Sequence, residues 1–214
     1  MWLFYHPRSP YSRKVLFALA EKGLVAERRI VPPADWKTQA QLMGEVSPLG
    51  MTPVLELDDG TTLPESSIIV EHLDLIHPGP EPLVVRNNAE TLEIRLFDRI
   101  CDSYLIALAG QLLWQRRKPA AERSSKKIAS IEERISVTLG ILDRRLHGRP
   151  HLVGRSLSLA DIAGCCGASI LVGLDFPLAA WISVQEWYDA LTRRSAWQAV
   201  LAETAEVTGS SSAV

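Results

Sequence analysis

The sequence is poor in cysteine. Its 214 residues include three cysteines, which cannot build a disulfide framework and whose spacing fits no zinc site. Cys165 and Cys166 are adjacent within an apolar helical pattern, so we expect them to be buried, unreactive thiols. The five histidines show no metal-ligand pairing, and the sequence therefore predicts no bound metal. This cysteine usage is typical of a protein of the reducing cytoplasm.

A long uninterrupted apolar run is also missing. The longest candidate, residues 170–182, is broken by Gly173, Asp175 and Pro177, so it is too short and too polar to span a bilayer. At the N-terminus the apolar residues end at Tyr5, before the hydrophobic region of a secretion signal could form. The sequence therefore predicts neither a membrane partner nor export.

The chain has no excess of positive charge. Its formal net charge is −2, and neither the first 80 residues nor the remainder carries the basic excess that binding to a phosphate backbone requires. Bulk nucleic-acid binding is therefore not expected. With 47% apolar residues, 13 glycines and 13 prolines, the chain has the composition of a folded protein rather than a disordered or repetitive one.

The first 79 residues alternate between strand-like and helix-like segments, which predicts an α/β domain of order β-α-β-α-β-β-α. The first two strands should be parallel, and the turn Asp58-Asp59-Gly60 should close an antiparallel hairpin. The predicted segments, in chain order, are Trp2–Tyr5, Tyr11–Lys22, Ala26–Val31, Trp36–Met43, Val54–Leu57, Thr61–Leu63 and Ser66 to about Ile76.

The Pro-rich stretch His77–Pro82 cannot be helix interior, and we place a linker at residues 80–85. Residues 86–214 are then predicted to form an all-α helical bundle. Ser158 and Asp161 begin a helix that is apolar nearly all round, which is typical of the centre of a bundle. Apolar residues recur at helical spacing in two further segments, and three tryptophans are expected to close the core of this domain. These residues are Leu92, Leu96, Ile100 and Tyr104; Ile128, Ile131, Ile135, Leu139, Leu142 and Leu146; and Trp181, Trp187 and Trp197.

Four segments in this order resemble the cytosolic glutathione transferase family, in its bacterial, serine-using form. They are the turn Ser9–Val15, the loop Ser47–Leu55, the turn Pro64–Ile68 and the start Ser158–Asp161. The resemblance covers essentially the whole chain. It implies a thioredoxin-like N-terminal domain, an all-helical C-terminal domain and a homodimer. It also implies glutathione as co-substrate and a hydrophobic electrophile as its partner in the reaction.

In this family the turn after the first strand carries the group that activates the glutathione thiol. Ser9 is the candidate here, and its alternative role is that of an ordinary helix N-cap before Pro10. Tyr5 and Ser12 are the rivals, although Tyr5 could equally be a core aromatic residue. The turn has no cysteine, and a mixed-disulfide mechanism cannot run through Ser9. The thiol–disulfide and dehydroascorbate reductase classes of the family are therefore excluded.

The other glutathione contacts implied by the resemblance follow the family motifs. Thr52-Pro53 is expected to be cis, so that the Thr52 backbone pairs with the cysteinyl backbone of glutathione; a trans proline at a strand start is the alternative. Met51 should contribute only its backbone. Ser66 should bind the γ-glutamyl carboxylate and Glu65 the ammonium, and helix capping is compatible with both roles.

Two further sets of residues are weaker candidates. Lys37 and Gln41 could reach the glycyl carboxylate, although solvation at the surface accounts for both equally well. An apolar co-substrate pocket could be lined by Tyr11, Tyr104, Leu108 and Trp114, with core packing as the alternative for each.

The sequence analysis thus predicts a glutathione S-transferase that attacks an electrophilic small molecule, with a role in detoxification. The alternatives are a specialised isomerase, an ether-cleaving enzyme or a dehalogenase on the same fold, and a non-catalytic protein-binding module. The identity of the electrophile is not encoded in a readable pattern.

Overall fold

The computed structural model describes residues 1–32, 36–44, 46–47, 49–85 and 88–210. The strands are β1 (Trp2–Tyr5), β2 (Glu27–Ile30), β3 (Val54–Glu56) and β4 (Thr62–Pro64). The helices are α1 (Pro10–Glu21), α2 (Trp36–Met43), α3 (Ser66–Ile76), α4 (Asn88–Ile100), α5 (Ala107–Arg117), α6 (Ser125–Leu146), α7 (Leu159–Val172), α8 (Ile182–Thr192) and α9 (Ser195–Ser210). A π-helical turn, Cys101–Ile106, joins α4 to α5. The predicted order of the first seven elements is confirmed, with shifts of one or two residues at their ends.

The four strands form one mixed sheet in the order β2-β1-β3-β4. As predicted, β1 and β2 are parallel, whereas β3 is antiparallel to both β1 and β4. Phe4 of β1 is paired with Val54 of β3, and Val54 is paired with Pro64 of β4. The end of β1, the start of β3 and the end of β4 therefore lie in one row, at the same end of the sheet.

Helices α1 and α3 pack together and run parallel to each other. The Lys14 ammonium of α1 donates to the Ser67 hydroxyl at 2.9 Å, and two turns further along Lys22 lies 2.7 Å from Asp74 of α3. All four side chains are buried or nearly so. Because the contacts advance in the same direction on both helices, the two N-termini lie at the same end of the pair.

The last helix belongs to the first unit, which corrects the expected domain division. Residues 1–83 pack together with Arg194 and α9, and residues 84–193 form a second compact unit. Trp197 is 1% exposed and its ring lies 5.3 Å from that of Phe17, so it does not close the helical core as predicted. Residues 86 and 87, where the helical domain was placed, lie outside the described residues. Helix α9 packs on the apolar side of α1 and buries it.

The second unit is built around α7, as its apolar sequence predicts. Asp161 is fully buried and accepts hydrogen bonds from the Ser158 N–H and hydroxyl, the Leu152 N–H and the Trp187 indole. These bonds satisfy a buried carboxylate and fix the start of the helix. The predicted stripe of α6 is buried from Ile131 to Leu146. All three cysteines are buried and none forms a disulfide, and burial raises the pKa of Cys165.

The apolar stripe at the start of this unit does not pack inward. Leu92 and Leu96 of α4 are 66% and 55% exposed, whereas Ile94 and Phe97 of the same helix enter the core. The four-residue spacing identifies the helix correctly but not the side that is buried. Among the described residues, no helix is long and apolar enough to cross a membrane.

Candidate functional site

Ser9 caps the N-terminus of α1 in an extended conformation. Its hydroxyl oxygen accepts the Ser12 N–H at 3.4 Å, and its own N–H donates to the His6 carbonyl at 2.9 Å. Accepting a bond at the oxygen leaves the hydroxyl proton available for donation. The side chain is half-buried, so a ligand can reach it. The cap and the donor role are therefore compatible in the same residue.

The two rivals of Ser9 are closed off from ligands. Ser12 is fully buried, and its oxygen accepts the His6 N–H at 3.2 Å. Tyr5 is 1% exposed and its phenol is hydrogen-bonded to Glu203. Burial, and then Glu203, raise the pKa of Tyr5, which keeps the phenol neutral. Geometry therefore favours Ser9 among the three candidates.

The loop before β3 has the expected backbone form. The Thr52-Pro53 peptide bond is cis, as predicted, and Thr52 is half-buried. The Met51 side chain is 64% exposed, and its N–H donates to the Ser47 hydroxyl at 3.4 Å. Pro48, which is part of the same motif, lies outside the described residues. Met51 thus takes part in the loop through its backbone and not through core packing.

Glu65 and Ser66 form the turn from β4 into α3. Glu65 has φ of 73°, an uncommon value for a residue other than glycine, and its side chain is exposed without capping the helix. Backbone strain of this kind costs of order 1–3 kcal/mol and is concentrated at functional sites. Ser66 is 4% exposed at the first position of the helix. Its hydroxyl and the backbone N–H groups of the first turn lie at the positive end of α3.

Three separate segments meet at one end of the sheet. Ser9 follows β1, Thr52-Pro53 precedes β3 and Glu65-Ser66 follows β4, and the paired row of Phe4, Val54 and Pro64 brings these strand ends together. Both α1 and α3 begin here, so two positive helix ends converge where an anion would bind. The buried Lys14–Ser67 bond links the two helix starts just behind them.

Comparisons with known proteins agree with this arrangement. A family model described as the N-terminal domain of glutathione S-transferases matches residues 3–81. A glutathione S-transferase from Methylobacterium radiotolerans, solved in complex with glutathione sulfonate, is 30% identical, and the match covers 93% of each chain with a TM-score of 0.76. The chain belongs to the glutathione transferase family.

Relatives of this glutathione transferase family member differ in the roles that their names give. Glutathione S-transferase 2 from Saccharomyces cerevisiae is 29% identical over 205 residues, which cover 89% of this chain and 82% of the relative. FtsZ-localized protein A from Caulobacter vibrioides is also 29% identical, over 213 residues that cover 94% and 90% of the two chains. Family membership therefore fixes the fold more firmly than the activity.

The candidate co-substrate residues differ in their exposure. Tyr104 and Trp114 are 51% and 66% exposed, whereas Leu108 is 1% exposed and packs in the core. Leu108 therefore does not share their surface. Tyr11 is half-buried in α1, and Lys37 and Gln41 are exposed on α2. Across the described residues, no group of three or more His, Cys, Asp and Glu side chains could hold a metal ion.

Two charged residues near the site were missed by sequence reasoning. Lys14 is fully buried, although lysine is normally exposed; its position four residues before the buried Ala18 places it on a buried face of α1. Glu203 binds Tyr5 from α9, almost two hundred residues away along the chain. Spacing could have indicated the first residue, but nothing local indicates the second.

Proposed function

We propose that the protein is a glutathione S-transferase in which Ser9 stabilises the glutathione thiolate for attack on an electrophilic carbon. The observation that carries this proposal is the convergence of Ser9, Thr52-Pro53 and Glu65-Ser66 at one end of the sheet, at two helix N-termini. Membership in the family and the glutathione sulfonate bound by the Methylobacterium relative support it.

The energetic demand on the site is modest. A free thiol with a pKa near 8.5 must be lowered by about two units to be largely ionised at neutral pH, which requires roughly 2.7 kcal/mol. A hydrogen bond to a charged acceptor supplies about 1.5–3 kcal/mol, and a helix N-terminus adds about 0.3–1 kcal/mol. A hydrogen bond from Ser9 would therefore supply about half or more of this free energy, and the start of α1 would add to it.

We assign the tripeptide contacts by chemistry. The Thr52 backbone would pair with the cysteinyl unit as an added strand does. The γ-glutamyl carboxylate would take the Ser66 hydroxyl and N–H at the positive end of α3, and the exposed Glu65 carboxylate would take the ammonium. Residues 1–79 would thus bind glutathione, and the second unit, residues 84–193, would supply the pocket for the hydrophobic electrophile.

Substitutions at Ser9 test the proposal. Ser9→Ala should raise the pKa of the bound thiol, read from the ultraviolet absorbance of the thiolate, and should lower kcat/KM about 10- to 150-fold, as expected for one bond to a charged group. Ser9→Asp is the matched control, because aspartate caps helices well but cannot donate at neutral pH. It should restore thermal stability without restoring activity. A bound-thiol pKa and kcat/KM that are unchanged in Ser9→Ala would overturn the assignment.

A non-catalytic protein-binding module is the second candidate function. The similarity to FtsZ-localized protein A over nearly the full length of both chains favours it. Retention on immobilised glutathione and turnover of a chloronitroaromatic electrophile separate the candidates. A transferase gives both, and a module that has lost the tripeptide site gives neither. Binding without turnover favours either a specialised isomerase, ether-cleaving enzyme or dehalogenase or a module that has kept the tripeptide site, and turnover with a panel of electrophiles then separates these two.

We further propose that the protein is a homodimer of the cytoplasm with a role in detoxification. Leu92 and Leu96 of α4 are apolar and exposed, which supports the proposal that they are buried in an interface between two copies of the chain. Ile68, Leu75 and Ile76 are exposed on α3 in the same way. Three buried cysteines that form no disulfide suit a reducing compartment.

A further inference from the structure

Helix α9 lies antiparallel along the whole length of α1. Near its start, the Arg194 guanidinium binds the Glu21 carboxylate with two bonds of 2.5 and 2.9 Å, at the end of α1. Trp197 meets Phe17 one turn earlier in α1. The following part of α9 continues past the first residue of α1 and reaches the segment that joins β1 to α1.

Glu203 makes the polar contacts in the part of α9 that reaches the segment between β1 and α1. Its carboxylate accepts the Tyr5 phenol of β1 and two bonds from the Arg28 guanidinium of β2, at 2.9 and 3.3 Å. Arg28 and Glu203 are 32% and 29% exposed, so the ion pair is partly screened from water. The adjacent Thr204 is buried; its hydroxyl donates to the Val200 carbonyl of its own helix at 2.7 Å and lies 3.5 Å from the Pro7 carbonyl.

Tyr5 and Pro7, which α9 contacts, belong to the segment that leads into the turn carrying Ser9. Tyr5 and Pro7 flank His6, whose N–H donates to Ser12 and whose carbonyl accepts the Ser9 N–H. The Arg13 side chain donates to the Pro7 carbonyl at 3.1 Å and closes the turn from the other side. His6 thus connects to Ser9 in two ways: its carbonyl accepts the Ser9 N–H, and its N–H donates to Ser12, whose own N–H donates to the Ser9 hydroxyl.

We infer that Glu203 of α9 is a positioning residue for the Ser9 hydroxyl, acting through Tyr5 and the turn at residues 6–9. This inference rests on the proposed function of Ser9. It also gives Tyr5 a role: the phenol anchors the end of β1 to α9 and does not touch the thiol. A donor that is misplaced by about 1 Å can lose as much as 100-fold in rate, so a distant anchor can matter for turnover.

The experiment compares variants that remove the contacts of α9 at either end: Glu203, near the Ser9 turn, and Glu21 of α1, which binds Arg194. Glu203→Ala should raise the pKa of the bound glutathione thiol and lower kcat roughly tenfold. The KM for glutathione should change little, because the turns at Thr52 and Glu65 are untouched. Glu203→Gln keeps an oxygen that accepts the Tyr5 bond and should recover most of the activity. Glu21→Ala breaks the ion pair at the other end, and should lower the melting temperature without moving the thiol pKa.

Two results would overturn the inference. One is a Glu203→Ala variant whose thiol pKa and kcat equal those of the wild type while Ser9→Ala changes both. The other is an equal change of thiol pKa in Glu203→Ala and Glu21→Ala, which would mean that α9 contributes stability alone. If Ser9→Ala itself changes neither quantity, the proposed function fails, and the positioning role fails with it.

Discussion

His6 is the titratable residue inside the turn that carries Ser9. Its Nδ1 accepts the Arg8 N–H at 3.2 Å, and burial, with the charge of Arg8, lowers its pKa below 6.5. A protonated imidazole cannot accept that bond. The folded protein therefore takes up a proton at His6 less readily than the unfolded chain does.

This difference predicts how stability depends on pH. The contribution of His6 to the free energy of unfolding should be complete above pH 6.5 and should be lost as the pH falls through the lowered pKa of the folded state. His6→Asn keeps an acceptor oxygen but does not titrate. Denaturant unfolding on both sides of pH 6.5 should show a steeper acid decline for the wild type. Equal declines in the two proteins would contradict this.

Single residues also show what the sequence could and could not predict about the site. Ser9 and Ser12 have the same side chain three positions apart, and a motif cannot separate them. In the structure the two serines differ in exposure, because Ser12 is fully buried whereas Ser9 is half-buried. The Tyr5 phenol differs from the Ser9 hydroxyl because it is hydrogen-bonded to Glu203, a residue near the other end of the chain. The local sequence was enough to propose these three residues as candidates. Their exposure and their hydrogen-bond partners depend on packing between distant parts of the chain, which the sequence does not show.

At the scale of elements, the small residues of α7 allow its neighbours to approach closely. A Cβ added at Gly164 would lie 2.7 Å from the Trp187 ring and 3.3 Å from the Cys101 sulfur. One at Gly167 would lie 2.8 Å from the Leu105 side chain. Glycine normally weakens a helix interior, so close packing accounts for these two positions.

A matched pair of glycine substitutions tests this packing. Gly164→Ala should destabilise the protein by about 1–3 kcal/mol, because the added methyl group overpacks the core. Gly110→Ala, in α5, meets no atom within 4 Å and should stabilise by about 0.5–1 kcal/mol through helix propensity. Chemical denaturation measures both changes. If the two variants shift stability in the same direction, propensity and not packing governs α7.

The elements themselves were largely predictable because their signals are local. The Ser158–Asp161 start, the Asp58-Asp59-Gly60 hairpin and the stripe of α6 each depend on neighbours in sequence. The assignment of α9 to a domain failed because its partner, α1, lies at the other end of the chain. The buried side of α4 could not be predicted because apolar side chains occur both on its buried side, at Ile94 and Phe97, and on its exposed side, at Leu92 and Leu96.

At the scale of the whole molecule, the exposed face of α4 bears on the proposed dimer. Leu92 and Leu96 lie one turn apart and are both more than half exposed. Neighbouring apolar side chains on one surface are typical of an interaction site, and burying them between two copies would be favourable by about 25 cal/mol per Å² removed from water. Ile182 of α8 is equally apolar and 67% exposed, but it stands outside this stripe.

The double variant Leu92→Glu and Leu96→Glu should therefore convert a dimer into a monomer, because it would place four carboxylates in a symmetric contact. Sedimentation equilibrium should give twice the mass of one chain for the wild type and for Ile182→Glu, and a single chain mass for the double variant. The melting temperature should rise with protein concentration only where the dimer persists. A monomeric wild type would remove the proposal outright, and dissociation of the Ile182→Glu control would show that added charge, rather than the α4 surface, separates the chains.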